Sequence, residues 1–288
     1  MKVSFGAKSD VGLKRERNED AMAADPELGL FVVCDGMGGR NAGDEASRMA
    51  TEIIQEHVQD GCDDAKLPMI GESNPKFSTQ TNRLASAIRL ANQVVVGASS
   101  RDPNNAGMGT TVVCAMFTGE SLSIAHVGDS RLYLIREGAI RALTADHSLV
   151  AEQVRRGMLT EEQAERSAQK HIITRALGIE QRVDVDLDEL LLKDGDFVLL
   201  CSDGLTRGVH PKEILNVLEH ETDPQAASEE LVQLANDAGG EDNTTVIILA
   251  FEKSTGSKIL KQIWRRIGGT RLLPGKGNRH AENSAEIS

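Results

Sequence analysis

Apolar positions along the chain fall into short continuous runs and into longer helical patterns. Leu30–Cys34 (LFVVC) and Phe197–Ser202 (FVLLCS) are unbroken apolar stretches, too short for an ordinary helix and rich in β-branched and aromatic residues. They predict strands buried on both faces. Each stops at an Asp-Gly pair, Asp35-Gly36 and Asp203-Gly204, where glycine allows a sharp turn and leaves the backbone unshielded. Further strands are expected at Val3–Ala7, Ala21–Ala24, Thr110–Thr118, Ser121–Val127, Arg131–Arg136, Ala139–Leu143, Val183–Leu187 and Thr244–Ala250.

Helical spacing marks Asn41–Asp60, through Ala42, Ala46, Met49, Ala50, Ile53, Ile54 and Val58, and Thr79–Ala98, through Leu84, Ile88, Ala91, Val94 and Val95. Asp223 before Pro224 starts another helix, ended by Gly239-Gly240. Thr160 with Gln163 forms a capping-box pattern. Residues 61–77 and 101–109 read as loops, and the polar stretch 148–180 as a mobile surface element. Turns as short as Thr118-Gly119-Glu120 and Glu137-Gly138 permit only antiparallel neighbours, and Gly128-Asp129-Ser130 alone reads as a hairpin turn. The expectation is an α+β fold, antiparallel sheets with helices packed outside.

Composition sets bounds on this picture. The 288 residues suffice for one large domain, and with 3% aromatics its core must be aliphatic. No apolar run approaches the roughly 20 residues of a membrane span. The opening MKVSFGAKSD has no signal-peptide pattern, so a cytoplasmic protein is expected. Cys34, Cys62, Cys114 and Cys201 lack metal or redox spacing and read as free thiols. The net charge is −12, but Ser254–Ser288 carry seven Lys/Arg against two Asp/Glu, so the tail is +5 and the rest −17. An acidic body argues against nucleic acid as a partner.

Asp20, Asp35, Asp129, Asp203 and Asp242 all fall at predicted strand ends. Carboxylates cannot crowd together ionised without cations, so five in similar places suggest one metal cluster. Arg15 stands beside Glu19 and Asp20, an anion binder next to cation ligands. Two ions about 4 Å apart, bridged by a carboxylate and a water, suit phosphoryl hydrolysis.

Six motifs then appear in order: RxxNED at Arg15–Asp20, DGMGG at Asp35–Gly39, GDSR at Gly128–Arg131, DHS at Asp146–Ser148, SDGL at Ser202–Leu205 and DNTT at Asp242–Thr245. In this the chain resembles PP2C-type (PPM) metal-dependent serine/threonine protein phosphatases of the compact bacterial branch, over residues 1–252. The resemblance implies a central sandwich of two antiparallel β-sheets flanked by helices, a four-layer αββα arrangement. It implies that Asp35 bridges two Mn²⁺ or Mg²⁺ ions, with the Gly36 carbonyl, Glu19 and Asp20 at one and Asp203 and Asp242 at the other. Asp129 matches a position shared with Asp203 at a third, weaker ion. Arg15 would bind the substrate phosphate, and a metal-bridging hydroxide would attack phosphorus. Residues 148–180 match a variable flap beside the site. One departure is Met37, where many eukaryotic members have a histidine proposed as general acid. A metal-bound water, or less readily His147, would then protonate the leaving group.

The expected partners are phosphoprotein substrates and a cognate Ser/Thr kinase, for a monomeric enzyme in signalling. Two other readings stand beside it: a non-catalytic phosphopeptide-binding module, and a phosphohydrolase of small esters. Completeness of the carboxylate set argues against the first. Residues 253–288 read as a partly disordered basic tail, with the amphipathic segment Lys258–Ile267 able to contact anionic lipid or a partner protein.

Overall fold

The computed structural model describes residues 1–39 and 42–252. The expected basic tail lies outside the described residues. The chain begins with β1 (Lys2–Asp10), β2 (Asp20–Asp25) and β3 (Leu30–Met37), followed by the long helices α1 (Ala42–Asp63) and α2 (Thr79–Arg101). Next come β4 (Gly109–Thr110), β5 (Val112–Thr118), β6 (Ser121–Val127), β7 (Arg131–Arg136) and β8 (Ala139–Ala142). The short helices α3 (Leu149–Arg155) and α4 (Glu161–Glu165) precede β9 (Asp186–Leu191) and β10 (Phe197–Cys201). Three helices, α5 (Asp203–Gly208), α6 (Pro211–His220) and α7 (Pro224–Asp237), lead to β11 (Thr244–Glu252).

Two antiparallel sheets result. One runs β1-β11-β10-β7-β8, the other β2-β3-β5-β6-β9 with β4 beside β3. Side-chain alternation decides the layering. In β3, Phe31 and Val33 face the other sheet, while Leu30, Val32 and Cys34 pack under α1 and α2. In β10, Val198 and Leu200 share that inter-sheet core, while Leu199 and Cys201 pack with Leu205, Ile214 and Leu231 of α5, α6 and α7. Both unbroken runs are therefore central strands with apolar layers above and below, and the order of layers is αββα. Burial of such side chains on both faces, each worth about 1.5–3 kcal/mol, is what selects this register.

Several expectations change. Gly128-Asp129-Ser130 is not a hairpin turn: β6 and β7 lie in different sheets, and the segment carries the chain from one to the other. The predicted strand at Val183–Leu187 sits later, at Asp186–Leu191, where it pairs with β6. Val183, Val185 and Leu187 owe their apolar character to packing on the α1/α2 core rather than to the ladder as a whole. Helices α5 and α6 add to the prediction. His210 caps α6 in a capping box with Glu213, and Ile214, Val217 and Leu218 bury its inner face. The 148–180 stretch is only partly a surface element, since Leu177 is wholly buried and bridges Thr110. Cys34, Cys114 and Cys201 are buried free thiols, and Cys62 is exposed. Among the described residues no helix is long and apolar enough to cross a membrane.

Candidate metal centre

The five aspartates meet at one end of the sandwich. Asp20 and Asp35 are register partners across β2 and β3. Asp35 follows Phe31 and Val33 on the inter-sheet face, at the point where the apolar core ends. Its backbone is fixed from the neighbouring segment: the Asp35 N–H donates to Thr111 Oγ1 at 3.0 Å, and its carbonyl accepts from Thr111 N and Thr110 Oγ1, both at 2.9 Å. Asp203 opens α5 and Asp242 lies two residues before β11, both in the opposite half. Asp129 sits on the crossover between sheets. Ser202 Oγ donates across the sandwich to Asp20 Oδ2 at 2.8 Å.

The glycines of the two Asp-Gly pairs are required by space. A Cβ on Gly36 would lie 2.1 Å from the Gly43 carbonyl oxygen and 2.5 Å from that of Glu19. On Gly204 it would lie 1.9 Å from the Asn243 carbonyl oxygen. Neither residue has a positive φ. The absence of a side chain lets α1 and the Glu19 segment close on Gly36, and the Gly36 N–H donates to Glu19 O at 3.1 Å.

Crowding sets the electrostatics. Burial, reinforced by the charges of Asp20, Asp203, Asp129 and Asp242, pushes the Asp35 carboxyl well above its ordinary range. Burial also raises Asp20 to about 7, against the hydrogen bonds of Thr245 and Ser202, and Asp203 and Asp242 add to the rise. Asp129 is raised to about 7 by burial and by Asp203. Glu19 is raised by burial, with Arg15 opposing. Asp20 Oδ1, Asp129 Oδ1 and Asp203 Oδ1 are buried without a hydrogen-bond partner. Oxygen-only ligands, converging and unsatisfied, suit hard divalent cations such as Mg²⁺ and Mn²⁺. The residues fit a metal centre.

The sequence profile of the family described as protein phosphatase 2C matches residues 14–244. The chain belongs to the protein phosphatase 2C family. It is 35% identical over 245 residues to the serine/threonine phosphatase Stp of Listeria monocytogenes, covering 84% of this chain and 93% of that protein. It is also similar to the crystal structure of the Mycobacterium tuberculosis serine/threonine phosphatase PstP/Ppp, with TM-score 0.76 and 33% identity over 87% of this chain and 99% of that one. The catalytic domain of PstP in complex with two manganese ions aligns with TM-score 0.72 and 32% identity, covering 87% of this chain and 99% of that one. Enzymes of this family are metal-dependent hydrolases.

Two arginines lie on carboxylates of this cluster. Arg15 pairs with Asp242, Nε to Oδ1 at 2.8 Å and Nη2 to Oδ2 at 2.9 Å. Arg207, one helical turn after Asp203 in α5, donates from Nε and Nη2 to Asp203 Oδ2, and its Nη1 lies 3.0 Å from Asp242 Oδ2. Arg207 was not among the residues expected, because its signal depends on a helix that the sequence pattern did not reveal. Asn243 was likewise hidden within the DNTT motif. Its side chain accepts from Glu19 N at 2.8 Å and donates to the carbonyls of Val11 and Arg17, so it shapes the segment that carries Arg15.

His147 is not placed to protonate a leaving group. It is 3% exposed, and Nδ1 accepts from the Gly128 N–H at 3.0 Å. Nε2 faces Arg175 at 3.0 Å and Asp186 at 3.3 Å. Burial, with His126 and Arg175 nearby, lowers its pKa to about 4. His126, His147 and Asp186 bring ligand atoms within 4.8 Å of one another. Arg175 already binds Asp186 Oδ1 there, at 2.6 Å, so the trio works as a latch and not as a second cation site. The latch closes both ends of the 148–180 stretch: Thr174 N donates to His147 O at 2.7 Å, and Ser148 bridges Ile173.

Proposed function

We propose that the chain hydrolyses phosphoserine and phosphothreonine in proteins, opposing a Ser/Thr kinase, with two Mn²⁺ or Mg²⁺ ions in the aspartate cluster. The observation that carries this reading is the set of three buried, unsatisfied carboxylate oxygens on Asp20, Asp129 and Asp203. Asp35 lies near Asp20 of its own sheet and near Asp203 and Asp242 of the other half, and would be shared by both ions. The Gly36 carbonyl, Glu19 and Asp20 would serve one ion, and Asp203 and Asp242 the other, with Asp129 beside Asp203. When bound, such ions lower the pKa of water and neutralise phosphate charge.

The protein's own groups then have defined tasks. Arg15 presents a planar fork suited to two phosphate oxygens, and half of its side chain is exposed, so it is free to leave Asp242 for a substrate. Met37 has no proton to give, and His147 is engaged at both nitrogens, so neither protonates the leaving alkoxide, and this reading assigns that proton to water in the site. A cleft beside Met37, lined by Ile173, Arg175, Ile179 and Arg182, lies along the 148–180 flap and suits the polypeptide around a phosphoresidue. Residues 1–252 would form the catalytic domain of a monomeric cytoplasmic enzyme, with the basic tail free to meet a membrane or partner.

The test is phosphate release from a phosphothreonine peptide, measured with Mn²⁺, with EDTA and with Asp203→Ala. Release that needs Mn²⁺ and is lost in the variant is expected. No release by the folded, Mn²⁺-supplied protein would overturn the reading.

A further inference from the structure

We propose that Arg207 is a second phosphate-binding arginine, acting with Arg15 on the same substrate group. The inference rests on the phosphatase reading and adds a residue to it. Arg15 Nη2 and Arg207 Nη1 approach one atom, Asp242 Oδ2, at 2.9 and 3.0 Å. The two guanidinia therefore converge on the space of a single anionic oxygen. At present that oxygen belongs to a carboxylate. A phosphoryl group offers the same geometry, an oxygen shared between two forks, with further oxygens left over for cations.

Asp242 holds both arginines with the oxygens a cation would draw on. As a cation ligand it would loosen its hold on the guanidinia, and both forks would then face the space it leaves. The two arginines differ in how far they can follow. Arg15 lies on the loop before β2, and its side chain is 50% exposed. Arg207 is 25% exposed and anchored, with Nε and Nη2 on Asp203 Oδ2. The anchor leaves Asp203 Oδ1 unsatisfied and open to a cation, and it holds Nη1 in place after Asp242 departs. A guanidinium stays protonated throughout the ordinary pH range, and that of Arg207 lies against both Asp203 and Asp242. The cation thus persists at the centre of the cluster, where a phosphate dianion has to be neutralised. Arg15 would capture the phosphate from solvent, and Arg207 would receive it at a fixed point.

The experiment is calorimetric binding of inorganic phosphate to the full Mn²⁺-loaded chain, with the bound manganese counted in the same samples. Arg207→Gln should bind as many Mn²⁺ ions as wild type, and at least as tightly, because a neighbouring positive charge is gone. Its phosphate affinity should fall by about ten-fold or more, as for loss of a charge-assisted hydrogen bond. In turnover the change should appear in KM more than in kcat. Combined with Arg15→Ala, the losses should be non-additive, because both forks hold one group. Unchanged phosphate affinity in Arg207→Gln overturns the proposal. So does lost manganese, which would make Arg207 only a support for Asp203. If Arg207→Gln does not fold, Arg207→Lys decides: it keeps the charge but cannot hold Asp203 and phosphate together, so weakened phosphate binding is expected and unchanged binding refutes. Wild type that binds neither manganese nor phosphate would instead refute the phosphatase reading itself.

Discussion

Asp20 and Asp35 stand opposite each other in the β2–β3 ladder, two carboxylates in register at the mouth of an apolar sandwich. Like charges facing across a strand pair destabilise the fold unless a proton or a cation intervenes. Folding raises the Asp20 pKa from 3.8 to about 7. A carboxyl raised in this way favours the fold while protonated. Its contribution is fully present below the unfolded pKa and is lost as pH climbs through 7. Asp20→Asn, fixed neutral, should therefore melt higher than wild type in EDTA at pH 8, by several degrees at about 2–4 °C per kcal/mol for a domain of this size. The gap should close towards pH 4. Equal melting temperatures at pH 8 would remove the crowding argument.

Asp35→Ala and Asp203→Ala should each lose turnover by on the order of 10³-fold or more, since the several kcal/mol that a cation brings to the reaction would be lost. Circular dichroism should show both folded. A variant within ten-fold of wild type would refute the assignment of that residue.

If Arg15 holds the substrate phosphate as proposed, Arg15→Ala removes that contact and also frees Asp242, whose oxygens it holds at 2.8 and 2.9 Å. KM for a phosphopeptide should rise by about ten- to hundred-fold with a smaller change in kcat. Manganese titration should show tighter binding. A drop in kcat at constant KM would mean that Arg15 acts on the transition state alone.

Gly36→Ala places a Cβ against two backbone carbonyl oxygens, at 2.1 and 2.5 Å, and backbone cannot swing aside as a flexible side chain would. The cost should be at least about 2 kcal/mol, read by urea denaturation, with loss of activity as α1 is pushed from Glu19. A fully stable variant would show that α1 can retreat freely.

His147→Ala should leave the sheets intact but release the 148–180 stretch, because the Gly128, Asp186 and Arg175 contacts all end on its ring. Trypsin should cut faster at Arg155, Arg156 or Lys170 than in wild type. Unchanged cutting would assign the flap's order to Leu177 and its bridge to Thr110 instead.

Much of this was legible from residue order. The runs at Leu30 and Phe197 marked the two central strands, because a strand buried on both faces needs apolar residues at every position. Asp35 and Asp203 were visible for the converse reason: each is a charge where such a run ends. Other features are set by tertiary packing and leave no periodic trace. The crossover at Gly128–Ser130 has the composition of a hairpin turn, and only pairing with distant partners sends β6 and β7 to different sheets. Val183 gave the wrong strand start because its apolarity serves a helix contact. Arg207 was invisible as a cluster residue because its meaning comes from standing four positions after Asp203 on a helix of six residues. For Arg15 the sequence suggested a phosphate ligand, and the structure adds that an aspartate holds its fork.

The crossing of the chain between sheets at Asp129 has a mechanical consequence. Asp20 and Asp35 are attached to one sheet, Asp203 and Asp242 border the other, and Asp129 lies on the strap between them. A cation held by this set, as proposed, would work as a rivet through the sandwich, resisting any slip of one sheet over the other. Loading should then toughen the whole scaffold rather than tidy a local pocket. A lesion that loosens either sheet, however far from the mouth, would be felt as a weaker hold on the ion.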